Sequence, residues 1–161
     1  MPATYSEYHC DRAAISLQAE RAGVKTADDD TWSDIFSRVL TERIEPELGN
    51  GQPTVLYRYP LPEAALAIPD PELPRTAQRF ELYVCGVELA NGFGELTDGN
   101  EQRHRLETQM AERLRIYGER YPLDEEFLAA LPHMPPTSGC ALGFDRLVML
   151  ATGASKDRKS T

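Results

Sequence analysis

The sequence predicts an α+β fold, an antiparallel sheet flanked by helices within a single domain spanning residues 1–161. Three observations carry this expectation. Apolar residues recur at helical spacing in the first third of the chain and again after Asp98. Between these runs lie short segments rich in β-branched and aromatic residues, two of them joined at Cys85-Gly86. Helices and strands fall in segregated runs, which favours α+β over an alternating parallel sheet. No internal repeat interrupts the pattern.

In chain order, Ile15, Leu17, Ala19 and Ala22 precede Gly23 and predict a helix with a glycine stop. Asp28, Asp29 and Asp30 offer N-caps for a second helix, on which Trp32, Ile35, Phe36, Val39 and Leu40 form one apolar face. The triplet is read as capping rather than as a metal site. Pro46, Gly49 and Gly51 mark a loop, and Pro53 to Pro60 a strand. The proline-rich stretch from Leu61 to Arg75 reads as a crossing loop, followed by a hairpin from Phe80 to about Leu96. Asp98 with Glu101 resembles a capping box, with Glu101 as its acidic member, for a long helix carrying Leu106, Met110, Leu114 and Tyr117. A short helix near Asp124 to Leu131, a glycine-broken strand and an apolar helix complete the expectation.

Composition narrows the functional classes. Hydrophobic residues make up 41% and charged residues 27%, within the globular range. No window approaches the roughly 18 apolar residues of a membrane span, and the first residues lack the pattern of a signal peptide. A cytoplasmic protein is expected. Cys10, Cys85 and Cys140 are too scattered for a zinc knuckle or a disulfide framework, and the histidines are equally dispersed. A net charge of −9 opposes a broad nucleic-acid footprint. The basic tail Lys156, Arg158 and Lys159 reads as a solvated end.

The hairpin carries the chemistry. A two-residue turn at Cys85-Gly86 sets Tyr83 opposite Glu88 and makes Glu81 a diagonal neighbour of Glu88, roughly 7–8 Å away. Carboxylates so placed repel each other unless a cation lies between them, and a divalent ion with oxygen ligands meets that need. A bulge near Asn91-Gly92 would bring Phe93 and Glu95 to the same face. The pattern alone leaves a second reading open, a solvent-facing acidic edge that discourages aggregation.

These residues resemble a known family. FELYVCGVELANGFGELTDGNEQRHR (80–105) with SGCALGFDRLVMLATGA (138–154) is similar to the C-terminal half of a class II lysyl-tRNA synthetase catalytic core. The second segment resembles that class's third signature motif. The pattern is closer to the synthetase-like (R)-β-lysine ligases of elongation factor P, which IEPELGNGQPTVLYRYP (44–60) and the following ALA also fit. The resemblance covers roughly residues 30 to 154.

The resemblance implies a partial class II synthetase-type sheet, ATP and Mg²⁺ as cofactors, and lysine or β-lysine with elongation factor P as substrates. It implies that Glu81 and Glu88 hold Mg²⁺ against ATP, that Arg146 clamps the phosphate tail, and that Gly143 lies at the nucleotide. Asn91 would meet the substrate carboxylate, Phe93 would wall the pocket, and Glu95 would pair with the terminal ammonium. Gly139 and Ala141 would line the substrate side. Lysyl-tRNA synthetases usually carry Gly where Ala141 stands, and the added methyl tilts the expectation toward β-lysine. Gly94 departs from the family, which tends to place a larger residue there.

The family's first and second motifs are not recognisable, nor is an anticodon-binding barrel. The expectation is therefore part of a ligase, inactive alone, whose partner is a missing N-terminal half or a second copy, with tRNA disfavoured. A non-catalytic remnant and a lysyl-tRNA synthetase fragment are the alternatives.

Overall fold

A computed structural model describes residues 11–154; the expectations for Cys10, His9 and the basic tail lie outside them. Its helices are α1 (Arg12–Arg21), α2 (Trp32–Val39), α3 (Gly99–Tyr117), α4 (Glu125–Ala130) and α5 (Phe144–Thr152). Its strands are β1 (Thr54–Pro60), β2 (Thr76–Val84), β3 (Val87–Gly94) and β4 (Ser138–Leu142). The strands form one antiparallel sheet in the order β1-β2-β3-β4, and the fold is α+β as expected. Among the described residues two compact units separate. One comprises Tyr59–Arg79 and Phe93–Gly139; the other comprises 11–58, Phe80–Gly92 and 140–154. They are called the loop and hairpin units below.

In the hairpin unit, Asp11 caps α1 and Gly23 ends it at φ +73°. The cap of α2 differs from expectation. Thr31 accepts from the Asp34 N–H while the Asp34 carboxylate takes the Thr31 N–H, a reciprocal capping box. Asp30, from the acidic triplet, instead accepts from the Ala27 N–H and pairs with Arg38 at 2.7 Å. Ala19, Val24 and Ile35 form the core here, with Ile15 and Val39 against them. A π-helical turn, Leu40–Ile44, and a 3₁₀ turn, Glu45–Glu47, carry the chain onward.

The turn of the hairpin is built as predicted. Cys85 and Gly86 both have positive φ, +52° and +72°, which matches the twist of the flanking strands. The breaker-rich loop supports it: Cys85 N–H donates to Gly49 O and Gly86 N–H to Leu48 O, at 2.9 and 2.8 Å. Gly49 sits against the Tyr83-Val84 backbone at φ +74°, and an added Cβ would lie 2.6 Å from Tyr83 O. The expected bulge is supported, somewhat earlier than placed. Asn91 Nδ2 donates to Glu81, so Asn91 shares that face, as does Glu88 opposite Tyr83. One extra residue must separate Glu88 from Asn91, and the consecutive Leu89 and Ala90 are both buried.

In the loop unit, the crossing loop adds pairing that the sequence did not reveal. Ala67 bridges Glu95 and Pro69 bridges Ala77, both antiparallel. Leu61, Ala64, Ala67 and Ala77 form the core, with Phe93 packed on it. At Gly94 an added Cβ would lie 3.1 Å from Gln78 Cβ and 3.2 Å from Ile68 Cγ2, so those side chains would have to give way slightly. Asp98 caps α3 through the Asn100 and Glu101 N–H groups, and Gly118 ends it at φ +69°. Glu101 does not complete a capping box; its carboxylate binds Arg105 at 2.9 Å. The apolar stripe of α3 is only partly covered. Its buried residues are Gln102 and Arg105, whereas Leu114 and Tyr117 are exposed. No helix among the described residues is long and apolar enough to cross a membrane.

Candidate active site

The hairpin unit gathers the predicted nucleotide-side residues on β2, β3 and α5. Glu81, 5% exposed, accepts from Tyr83 Oη at 2.6 Å and from Asn91 Nδ2 at 3.2 Å. Both contacts satisfy a carboxylate that would be costly to bury bare. Glu88 meets Arg146, whose Nη1 lies 3.0 Å from Glu88 Oε2 and 2.7 Å from Glu88 O. Gly143 begins α5 and donates its N–H to Leu89 O at 2.8 Å. A Cβ there would lie 3.3 Å from Arg146 Cδ, so the glycine leaves room for the arginine stem. Ala141 is exposed on β4.

Glu45 joins this cluster without having been expected. Its carboxylate lies 3.2 Å from Tyr83 Oη, which also serves Glu81. One phenolic hydrogen faces two carboxylates, and the shorter contact gives it to Glu81. Burial pushes the Glu45 carboxyl above the usual carboxylate range. The Tyr83 hydrogen bond opposes that rise, the Glu81 and Glu88 charges add to it, and Arg146 offsets it. Alternation had put Tyr83 on the acidic face, so its part was open to sequence reasoning; Glu45, 38 positions away, gave no such signal.

The raised value sets a pH dependence. A carboxyl raised on folding contributes stability that is complete below its unfolded value and lost as pH rises through its folded value. Glu45→Gln keeps a partner for Tyr83 but cannot ionise. Its melting temperature relative to the original chain should be higher at pH 8, and the gap should narrow toward pH 4. Thermal melts of both chains across that range check this, and a gap independent of pH contradicts it.

The loop unit places Phe93, Glu95 and Gly139. Phe93 packs on the core, and the Arg79 guanidinium stacks over the Tyr59 ring at 4.4 Å and the Phe93 ring at 5.9 Å. Glu95 N–H donates to Thr137 O at 3.0 Å. Its carboxylate lies over Gly139, where an added Cβ would come within 2.5 Å of Glu95 Oε1. Gly139 thus admits a carboxylate that a side chain would displace.

Among the described residues, no three carboxylate, imidazole or thiol side chains converge on a metal position. The donor set nonetheless fits Mg²⁺, which commonly takes one or two carboxylates, water and substrate phosphates. Glu81 and Glu88 offer hard oxygens, held meanwhile by Tyr83 and Asn91 and by Arg146 respectively.

Residues 11–159 match the model of the family described as tRNA synthetases class II (D, K and N). Among curated relatives, the elongation factor P–(R)-β-lysine ligase of Haemophilus influenzae (strain PittGG) is 40% identical over 147 residues, 91% of this chain and 46% of that protein. The ligase of the same name from Pectobacterium carotovorum subsp. carotovorum (strain PC1) is 42% identical over 150 residues, with the same shares. That of Proteus mirabilis (strain HI4320) is 49% identical over 123 residues, 76% of this chain and 38% of the relative. The chain spans about half the length of the curated relatives it matches. With a match that spans all of the described residues, the chain belongs to the family of class II tRNA synthetases of the D, K and N group.

Proposed function

We propose that the chain is part of an ATP-dependent ligase that activates a lysine-like amino acid, β-lysine in preference to α-lysine, and transfers it to a lysine of elongation factor P. The observation that carries this reading is the Arg146–Glu88 pair, in a chain whose relatives at 40–49% identity bear that ligase name. In the proposed reaction the substrate carboxylate attacks the ATP α-phosphorus, forming an aminoacyl adenylate and releasing pyrophosphate. The acceptor lysine amine then attacks the acyl carbon and AMP leaves. Arg146 releases Glu88 to clamp phosphate oxygens, and Glu81 and Glu88 would hold Mg²⁺. Bound there, Mg²⁺ would neutralise the phosphate charge that repels the attacking carboxylate. Asn91 keeps a second amide hydrogen for the substrate carboxylate, and Glu95 pairs with its terminal ammonium.

In this reading the segment works with a part equivalent to the remainder of its relatives, on the same chain or on another, or with a second copy. Exposed apolar residues of the hairpin unit support this: Val55 and Tyr57 on β1, Leu142 on β4, and Phe144, Leu147 and Val148 on α5. The same exposure favours, as a second reading, a non-catalytic synthetase-like piece that binds a protein partner. Ala141 disfavours a lysyl-tRNA synthetase fragment, and tRNA is not the proposed acceptor.

Pyrophosphate exchange with ATP, Mg²⁺ and β-lysine tests the proposal. We expect exchange when the chain is mixed with the complementary half of a relative, and none from the chain alone. A silent mixture overturns the ligase reading, while charging of tRNA with lysine points to the synthetase fragment. Within an active mixture, Glu88→Gln should weaken Mg²⁺-dependent ATP binding by about tenfold or more. Unchanged binding by calorimetry would remove Glu88 from the metal assignment.

A further inference from the structure

We propose that Arg105 is the positioning residue for Glu95, acting through the segment Ala65–Ala67. The inference deepens the functional reading above and rests on its assignment of Glu95 to the substrate ammonium. Arg105 is 3% exposed, an uncommon state for a charged residue unless it is paired. Its Nε donates to Glu101 Oε1 at 2.9 Å, one turn earlier on α3. Its Nη1 donates to Ala65 O at 3.1 Å and Ala67 O at 2.8 Å. Ala65 sits at φ +49°, a conformation an alanine holds only under constraint, and the guanidinium ties down the carbonyls on either side of Leu66.

The tied segment is the one that fastens Glu95. Ala67 bridges Glu95 directly, Ile68 N–H donates to Gly94 O at 2.8 Å, and Leu96 N–H donates to Leu66 O at 2.9 Å. Thr137 O receives the Glu95 N–H, and Gly139 leaves space for the carboxylate. The backbone from which the Glu95 side chain projects is thus held between two segments, and Arg105 anchors one of them. A buried arginine used only as core filling would have no need for this geometry, since an apolar side chain fills volume at lower desolvation cost. A rigid guanidinium fork can bind a carboxylate and two divergent carbonyls at once; an ammonium cannot match that spread.

The test compares Arg105→Lys, which retains charge and much of the volume, with Glu101→Gln, which retains an acceptor for Arg105. In the reconstituted mixture, Arg105→Lys should raise KM for β-lysine by about tenfold or more, with KM for ATP and the turnover number little changed. Glu101→Gln should stay near the original. Hydrogen exchange of the chain by itself should show the Ile68 and Leu96 amides losing protection in Arg105→Lys, while amides at the Cys85-Gly86 turn keep theirs. A lower melting temperature with unchanged KM for β-lysine and unchanged protection overturns the proposal and leaves Arg105 a purely structural residue. If the original mixture shows no amino-acid-dependent exchange, the ligase reading fails. The protection of Ile68 and Leu96 then decides alone whether Arg105 sets the Glu95 backbone, and unchanged protection overturns that too.

Discussion

Arg146→Met should reduce β-lysine-dependent pyrophosphate exchange by about 10²–10³-fold in the reconstituted mixture, a loss typical of removing one positioned charge donor. The chain's own stability should hardly move. The Arg146–Glu88 pair is partly exposed, its side chains 43% and 32% accessible. Such pairs contribute at most about 1 kcal/mol and commonly less. The two magnitudes separate the roles: a structural arginine would change the melting temperature without erasing activity, and a phosphate clamp does the reverse. Arg146→Lys should recover only a minor part of the rate, because a point charge cannot reproduce the planar fork. Exchange kinetics and thermal melts on the same preparations check the prediction. A Met variant that retains most of its exchange activity removes Arg146 from the nucleotide site.

Gly49→Ala should have the largest effect on stability, about 3–5 kcal/mol, from left-handed strain and enforced overlap together. Its φ of +74° disfavours any Cβ, and that Cβ would lie 2.6 Å from Tyr83 O and 2.7 Å from both Tyr83 C and Val84 Cα. These are backbone atoms of a paired strand and cannot yield as a side-chain tip would. Loss on this scale is a large fraction of the 5–15 kcal/mol typical of a whole domain. Gly51 is the natural control: it has a similar φ of +82°, but nothing lies within 4 Å of an added Cβ. Gly51→Ala should therefore show only the strain component, about 1–2 kcal/mol. Urea unfolding of the pair measures the overlap as the difference. Equal losses would show that the contact with Tyr83 contributes nothing.

Local chemistry made the hairpin legible. A Cys-Gly pair between two β-rich runs specifies a tight turn, and alternation then assigns faces without knowledge of the rest of the molecule. The bulge was legible in kind but not in place, because Leu89 and Ala90 suit either a strand or a bulge and their common burial depends on what packs around them. The α2 cap was misassigned for a similar reason: four potential cap residues stand in a row, and only Thr31 has Asp34 three positions on to reciprocate. Remote partnerships were not legible. Arg105 meets carbonyls 38 and 40 positions earlier, and Glu45 meets Tyr83 across 38 positions. Periodicity assigns such polar residues to solvent, and only the folded chain shows that a loop's carbonyls or a tyrosine hydroxyl awaits them. The site residues carried over by family resemblance fall in both compact units, joined in sequence by the same two strands.

The placement of β4 has a consequence for synthesis. Strand β3 ends at Gly94, but its partner β4 begins only at Ser138. At about 5–20 residues per second, the ribosome takes several seconds to supply that partner. The hairpin itself closes within about 1–10 μs of emerging. For that interval the β3 edge stands open beside other nascent chains, the situation in which strands recruit one another. Glu88, with its charge, and the bulge that follows it lie on that edge and oppose such pairing. Through that interval Glu88 lacks Arg146, its partner in the finished fold.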